Sequence, residues 1–434
     1  MARLHLESVA SQISTPKEIW NALQSLPKDI NETYDVAIIR AKAQGGTRYE
    51  LAKKILTWIT YARRPLTVRE LQYAISRGTT IDGTTEETAG DNSLPSQEVM
   101  ISVCMGLVNY EEESKQLRLV HYTAQEYFLE KPDVLSADAN AELATSCVNY
   151  LISQSIPLND KWDPDQAYPW GWEFPEATHP FLGYAAQYWY WHTRHGSTEE
   201  LRNLVTRFLE DTSKTRLALS WASTLLPEDG NSRISKWQFR DFMPLLVAAA
   251  CGLPAIVEAQ LKDGVDIRVE TSLGESALIL AAQFGHTDIA RLLLKWTGYV
   301  ERNSGGTSDF VPSLTARLFQ LHHGRKFLSS ISWIIGQYVV KRTRKRLRFI
   351  NHIENSNGCC ALYWATRYKH IELARLLIDA GANVDRQFKT IRGASGEAPL
   401  HAATWSRCTE LVQILLDNGA EYDIQDERAR PHFI

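Results

Sequence analysis

Twelve histidines, six cysteines and one dense run of cations are the side chains of this 434-residue sequence with the means to do chemistry. The cysteines (Cys104, Cys147, Cys251, Cys359, Cys360, Cys408) stand in apolar surroundings, with no Cys-x-x-Cys pair and no zinc-site spacing. Thiols kept in a reducing compartment fit that scatter. No carboxylate flanks His322-His323 at metal-ligand spacing, and no His-Glu-x-x-His occurs. A phosphate cradle is missing too: there is no Gly-x-x-x-x-Gly-Lys-Ser/Thr, and Ser304-Gly305-Gly306-Thr307 lacks both the lysine and a preceding strand. No Gly-x-Ser-x-Gly elbow presents a serine nucleophile. The sequence therefore supplies no catalytic set, no metal site and no demand for a cofactor. Two features remain. Lys341-Arg342-Thr343-Arg344-Lys345-Arg346-Leu347-Arg348 packs six cations into eight residues, and Phe181, Tyr184, Ala185, Tyr188, Trp189 and His192 follow helical spacing. An aromatic stripe of that kind is core more often than ligand face, which makes His192 a satisfied helix-end histidine.

These residues must be held by elements, and composition bounds what those are. Hydrophobic residues are 44% and charged residues 23%, the balance of a globular chain, and the length suggests two to four structural units. The net charge of -4 gives no general pull toward nucleic acid or acidic membrane. Residues 299–357 are the exception, with ten Lys/Arg against three carboxylates. No basic-then-apolar signal peptide opens the chain, and no apolar run has the roughly 18–20 residues that span a bilayer. A cytoplasmic protein is expected, with the nucleus open to it through the basic run.

Self-similarity sets the second half. Met243-Pro244-Leu245-Leu246-Val247-Ala248-Ala249 recurs 33 residues on as Ser276-Ala277-Leu278-Ile279-Leu280-Ala281-Ala282. It returns as Cys360-Ala361-Leu362-Tyr363-Trp364-Ala365-Thr366 and as Ala398-Pro399-Leu400-His401-Ala402-Ala403-Thr404. Each copy continues into a second apolar helix, with Leu pairs at 292/293, 376/377 and 415/416, and a glycine ending such as Ala380-Gly381-Ala382-Asn383. Small Ala-Ala pairs let paired helices approach, leucines fill the seam to the next unit, and glycine supplies the left-handed stop. The spelling resembles ankyrin repeats, in copies near 243–267, 276–298, 360–385 and 398–424. Leu278 and Leu362 are 84 residues apart, so an insertion, drawn at 299–357, interrupts a 33-residue period. Its basic run is open to three readings: a nuclear-localisation signal or anionic-surface contact, an exposed basic helix in a loop, or a retained intron.

In the first half, residues 48–62 form a helical stripe, Thr67-Val68-Arg69-Glu70 is a capping box, and residues 98–105 form a third helix. Residues 107–110 and 117–121 then make a hairpin about the acidic turn Glu111-Glu112-Glu113-Ser114. Three helices and a hairpin make a winged helix. Its third helix carries no Lys or Arg and its wing tip is acidic, which argues against DNA. The expected fold class is mainly α: a helical segment at 1–44, a winged-helix domain at 45–131, a helical connector at 132–240 and an ankyrin solenoid at 241–434.

Leu26-Pro27 to Glu32-Thr33-Tyr34-Asp35, Ala62-Arg63-Arg64-Pro65-Leu66-Thr67-Val68, and Leu119-Val120-His121-Tyr122-Thr123-Ala124-Gln125-Glu126-Tyr127-Phe128 together resemble the segment after the nucleotide-binding core of fungal NACHT-type NOD-like receptors. The winged helix of that family also goes under the name of a GPI inositol-deacylase. The resemblance implies that His121 senses the β-phosphate of a bound nucleotide where a NACHT core is present, through an intramolecular contact with that core. With no P-loop in the sequence, the alternative is that His121 caps the hairpin or the helix from Tyr122 to Glu130.

Ankyrin stacks bind proteins on hairpin tips and first helices. Carrying the family's variable surface onto this chain gives Glu275, Gln283, Phe284, Arg367, Tyr368, Glu397, Trp405 and Ser406 as partner contacts. Phe284, Tyr368 and Trp405 either form an exposed aromatic row or pack on their own hairpins. The function expected is a non-catalytic interaction and signalling module binding a protein of unknown identity, the sensing half of a NOD-like receptor. Its rival is the C-terminal part of a nucleotide-switched STAND ATPase whose P-loop lies upstream. A third class, a nucleic-acid-associated factor, would use the basic insertion.

Overall fold

A computed structural model of the chain describes residues 29–76, 94–153, 179–224, 243–298, 345–354, 358–389 and 395–424. Expected helices before residue 29, the tryptophans at 162, 170 and 172, residues 299–344 of the insertion and the end after 424 lie outside these. The protein is mainly helical, and it divides into two compact units, Met1–Ser235 and Lys236–Ile434.

In the first unit, α1 (Ile30–Ala43) precedes α2 (Gly46–Tyr61), which buries Ala52, Ile55, Leu56 and Trp58 along one stripe. The chain then breaks at Pro65, and α3 (Val68–Ser76) starts on the expected capping box. Glu70 Oε2 accepts from the Thr67 N–H at 2.8 Å, and Thr67 Oγ1 accepts from the Glu70 N–H at 3.3 Å. Arg64 adds a fork, Nη1 and Nη2 reaching the two Glu70 oxygens at 3.1 and 2.5 Å. Bidentate pairing satisfies a carboxylate that burial would otherwise penalise. Ser96 caps α4 (Gln97–Val103). The wing follows as β1 (Val108–Glu111) antiparallel to β2 (Gln116–Leu119), Val108 facing Leu119 and Glu111 facing Gln116. Thr67 pairs with Gln116, and the Val68 N–H donates to the Lys115 carbonyl at 2.9 Å, so the wing is tied to the start of α3.

Next, α5 (Tyr122–Glu130) packs back on α1 through the Tyr34–Tyr127 rings, 5.3 Å apart. Tyr127 Oη donates to Asp35 at 2.5 Å, and Lys131 Nζ pairs with it at 3.0 Å. The Tyr127 hydroxyl first, with the Lys131 ammonium added, holds the Asp35 carboxyl below its ordinary range against the cost of desolvation. The helices α6 (Ala139–Ser153), α7 (Leu182–His195), α8 (Glu199–Glu210) and α9 (Thr212–Thr224) complete the unit. The aromatic stripe is core: Phe181, Tyr184, Ala185, Trp189 and His192 are fully buried, while Tyr188 is half-buried.

The second unit is a stack of helix pairs: α10 (Pro244–Cys251) with α11 (Pro254–Lys262), and α12 (Ala277–Phe284) with α13 (Thr287–Trp296). After the insertion come α14 (Ala361–Arg367) with α15 (Ile371–Asp379), and α16 (Pro399–Trp405) with α17 (Thr409–Asp417). Proline opens α10 and α16. Ser276 Oγ accepts from the Ile279 N–H, and His401 Nδ1 accepts from the Ala398 N–H at 3.0 Å, two solutions to one orphaned first turn. A short pair, β3 (Phe388–Lys389) with β4 (Ser395–Glu397), forms the longer hairpin before α16. In the second repeat the buried leucines are Leu293 and Leu294, one residue beyond the pair read from sequence.

All four first helices end alike. Backbone bonds from Leu253 to Ala248, His286 to Ala281, His370 to Ala365 and Cys408 to Ala403 span the same five residues, at 2.9 to 3.2 Å. This six-to-one closure puts the residue before each donor in the left-handed region. There stand Gly252 (φ 75), Gly285 (φ 78), Lys369 (φ 60) and Arg407 (φ 52). The glycines also leave room, since a Cβ on Gly252 would lie 2.7 Å from His286 and one on Gly285 2.5 Å from His370. His286 Nε2 bonds the Ala250 carbonyl at 2.9 Å, stapling the second repeat onto the first. Lys369 brings a Cβ to the same position, and the residue at the next repeat's histidine place is then the shorter Cys408. Holding an L residue there costs about 1 kcal/mol at each of Lys369 and Arg407.

The insertion is shorter than the sequence suggested. Residues 345–350 are helical, Ile350 is buried, and Ile353 pairs with Cys360 as Glu270 pairs with Ser276 one repeat earlier. His352 Nε2 bonds the Gly274 carbonyl at 2.8 Å, and Asn351 Oδ1 accepts from the Asn383 N–H at 2.7 Å. Residues 345–354 thus belong to the third repeat's own hairpin, because their apolar and amide groups are spent on its neighbours.

Substituting Gly285→Ala adds both left-handed strain and a clash with the His370 ring. The ankyrin unit should lose about 2 kcal/mol, read as an earlier urea transition of that unit with the first unit's transition unmoved.

Candidate functional site

Two places hold the residues singled out from the sequence. The first is a cleft of about 510 Å³ in the winged-helix unit, walled by Trp58, Ile59, Leu66, Leu117 and Leu119 and edged by Arg63, Arg64, Arg118 and His121. Arg64 is committed to Glu70 and Arg118 pairs with Glu111 at 3.0 Å. Arg63 stacks its guanidinium over Trp191 at 4.4 Å and, among the described residues, has no carboxylate partner. His121 is exposed and serves as the N-cap of α5: Nδ1 accepts from the Thr123 N–H at 3.3 Å and sits 2.9 Å from its hydroxyl, while the ring lies on Tyr122. Capping thus occupies one ring nitrogen and leaves Nε2 for a ligand.

Behind the cleft runs a buried polar chain. The Arg63 N–H donates to Tyr184 Oη at 2.9 Å, Tyr184 Oη lies 2.8 Å from His192 Nε2, and His192 Nδ1 lies 2.9 Å from Asn140 Oδ1. Only one direction satisfies every group: Tyr184 donates to Nε2 and Nδ1–H donates to Asn140, which fixes a neutral tautomer. Burial, with His195 and Arg63 nearby, pushes His192 down to about 3. Burial likewise pushes the Tyr184 phenol well above its ordinary value. The chain is fully bonded and built to stay neutral, so it holds α7 against α6 and α2 and has no proton to give at neutral pH.

The second place is the ankyrin surface, where the structure separates the expected contacts. Glu275 and Gln283 are buried, not surface groups: Gln283 Nε2 donates to Glu275 Oε1 at 3.0 Å, and Thr271 Oγ1 to Oε2 at 3.3 Å. Their charges and amides brace the hairpin of the second repeat. Ser406 is buried as well, its hydroxyl turned back onto the Ala403 carbonyl at 2.9 Å. Phe284 and Tyr368 are half-buried and lie on their own repeats, Phe284 parallel to His286 and Tyr368 stacked on Trp364 at 5.5 Å. Glu397 is half-exposed and takes the Tyr363 hydroxyl at 3.5 Å. Arg367 and Trp405 are exposed side by side, the guanidinium 5.8 Å from the ring centre. Lys369 and Arg407, which the sequence reading passed over, are exposed beside them. Their signal was present as a cation standing where the first two repeats carry glycine.

Comparison with known proteins bears on both units. Residues 39–146 match the family described as GPI inositol-deacylase, winged helix domain, and residues 245–309 and 334–426 match Ankyrin repeats (3 copies). An azaphilone pigments biosynthesis cluster protein L from Monascus ruber is 26% identical over 309 residues, covering 63% of this chain and 60% of that protein. A probable E3 ubiquitin-protein ligase XBOS33 from Oryza sativa subsp. japonica is 28% identical over 173 residues, covering 32% of each. The chain thus spans less than two thirds of the length of these relatives. The N-terminal domain is a winged helix of the NACHT-associated type, and the C-terminal half is an ankyrin-repeat interaction module. No helix among the described residues is long and apolar enough to cross a membrane.

The depressed His192 makes a pH prediction. Below about pH 6.5 the unfolded chain takes up a proton that the folded one refuses down to about 3, so stability falls with pH across that window. Between about pH 7.5 and 5 the first unit should lose about 2 kcal/mol through this group. Urea unfolding at the two pH values, repeated with His192→Gln, should show that part of the slope removed.

Proposed function

We propose that this chain is a non-catalytic interaction and signalling module, the regulatory and sensing half of a NOD-like receptor or an adaptor derived from one. It captures a protein partner on the ankyrin surface and works in the cytoplasm. The observation that carries the reading is the exposed Arg367–Trp405 pair, at the end of a row whose other two rings, Phe284 and Tyr368, lie on their own repeats. A large ring left in water beside an arginine is what interface anchors look like. The pairing of a NACHT-associated winged helix with ankyrin repeats supports the receptor setting.

A second reading is favoured by the cleft: the chain is the C-terminal part of a nucleotide-switched STAND ATPase, with His121 meeting nucleotide phosphate against an upstream NACHT core. Arg63 and the uncommitted Nε2 of His121 face such an anion without a competing carboxylate of their own. An immunoblot of cell lysate with an antibody to the last repeat separates the two. A band near 49 kDa belongs to the free-standing adaptor; a much larger one belongs to the ATPase.

Substituting Arg367→Ala with Trp405→Ala in the full chain should strip a specific protein from affinity-purified complexes, read by quantitative mass spectrometry, with no fall in melting temperature. Retention of every co-purifying protein would sink the partner-capture reading.

A further inference from the structure

The geometry points to an acidic, extended protein segment as the partner of this ankyrin surface, gripped by Arg367, Lys369 and Arg407 with Trp405 as its platform. The inference rests on the partner-capture reading above and names the chemistry of what is captured.

Charge placement carries it. On the outer helices, cations are paired across repeats: Arg291 reaches Glu372 at 3.1 Å, and Arg375 reaches Glu410 at 3.0 Å. At the ends of the first helices the pattern stops. Arg367, Lys369 and Arg407 are exposed, and among the described residues none has an ion-pair partner. Lys369 and Arg407 occupy equivalent positions in adjacent repeats, each within the closure that ends its first helix (α14 or α16), and Arg367 stands two residues before Lys369. The cations therefore form a stripe crossing from one repeat to the next, with the Trp405 ring beside it.

The backbone adds an independent observation. Lys369 and Arg407 stand at φ 60 and 52, where the first two repeats use Gly252 and Gly285. Glycine would close the same turn without strain. A cation kept twice at a position that favours glycine marks a demand on the side chain that folding does not make. Helix C-termini do welcome cations, yet α10 and α12 end without one.

The stripe fits one strand of negative charge. A membrane or a duplex would need a broad positive face, whereas Glu372, Glu397 and Glu410 stand on the same two repeats as these three cations. An extended segment with Glu or Asp at intervals and an apolar or aromatic residue for Trp405 matches the width and the alternation.

The test uses the full chain and a short fluorescein-labelled peptide of Glu and Asp containing one Phe, followed by fluorescence anisotropy. Binding should weaken as salt rises, because the contacts are exposed ion pairs. The Lys369→Gly/Arg407→Gly variant should bind about tenfold more weakly while its melting temperature rises, since glycine relieves the left-handed strain. A merely structural role for the two cations predicts no loss of binding. Trp405→Ala should weaken the peptide without the gain in stability. Wild-type affinity in the double-glycine variant overturns the inference. So does capture of anionic phosphatidylserine vesicles or duplex DNA, lost in that variant, with no binding of the peptide. If the protein partner is lost with Arg367→Ala/Trp405→Ala but kept by the double-glycine variant, partner capture stands and its acidic chemistry falls.

Discussion

A left-handed residue at the end of each first helix is the constraint on which the ankyrin unit depends. The helix must stop, reverse and start its partner within a few residues, and the closures at Ala248, Ala281, Ala365 and Ala403 accomplish this with one backbone bond each. That geometry brings the next repeat close enough for His286 and His370 to lie on Gly252 and Gly285. Stacking then follows, because each repeat's apolar face is covered only by its neighbour. The Lys369–Cys408 relation has the same origin. Once a Cβ occupies the turn, a ring no longer fits above it, and a smaller side chain takes its place.

The first unit solves a different problem. Its wing is a two-stranded hairpin, which is marginal alone. Polar groups at the junctions supply the register. Glu70 gathers Thr67 and Arg64 into the start of α3, and the bond from Val68 to Lys115 fixes the wing to that same turn. Asp35 does the equivalent for α1 and α5 through Tyr127 and Lys131. Farther along, the chain from Arg63 through Tyr184 and His192 to Asn140 satisfies each buried group, leaving the aromatic stripe free to pack. These groups orient elements whose cohesion comes from buried rings and leucines.

Much of this was legible in order and type. The 33-residue recurrence of Leu245 at Leu278 and the small Ala pairs place the helix pairs, and the Thr67–Glu70 spacing places the start of α3. Periodicity also marks the Phe181 to His192 stripe as core. What was not legible depended on which neighbour a side chain meets. Glu275 and Gln283 look like surface residues by type, yet they satisfy each other's polar groups at 3.0 Å and so become buried bracing. Ser406 likewise bonds its own helix. The insertion's far border was obscured because residues 345–354 carry none of the repeat's spelling, while Ile350 and Asn351 do the same work by burial and hydrogen bonding.

The proposed recognition surface lies in the departures from that repeating rule. Positions that obey the repeat are fixed by packing and are not available for recognition. Gly252, Gly285, the Ala pairs and the buried leucines cannot vary without opening a seam. Freedom to recognise a partner is left to side chains that project beyond the stack, and there the third and fourth repeats differ from the first two. Arg367 and Trp405 stand in the column that Ala250 and the buried Gln283 occupy earlier, and Lys369 and Arg407 in the column of the glycines. On the proposed reading, recognition is concentrated after the insertion, where the left-handed turns carry Lys369 and Arg407 in place of glycine.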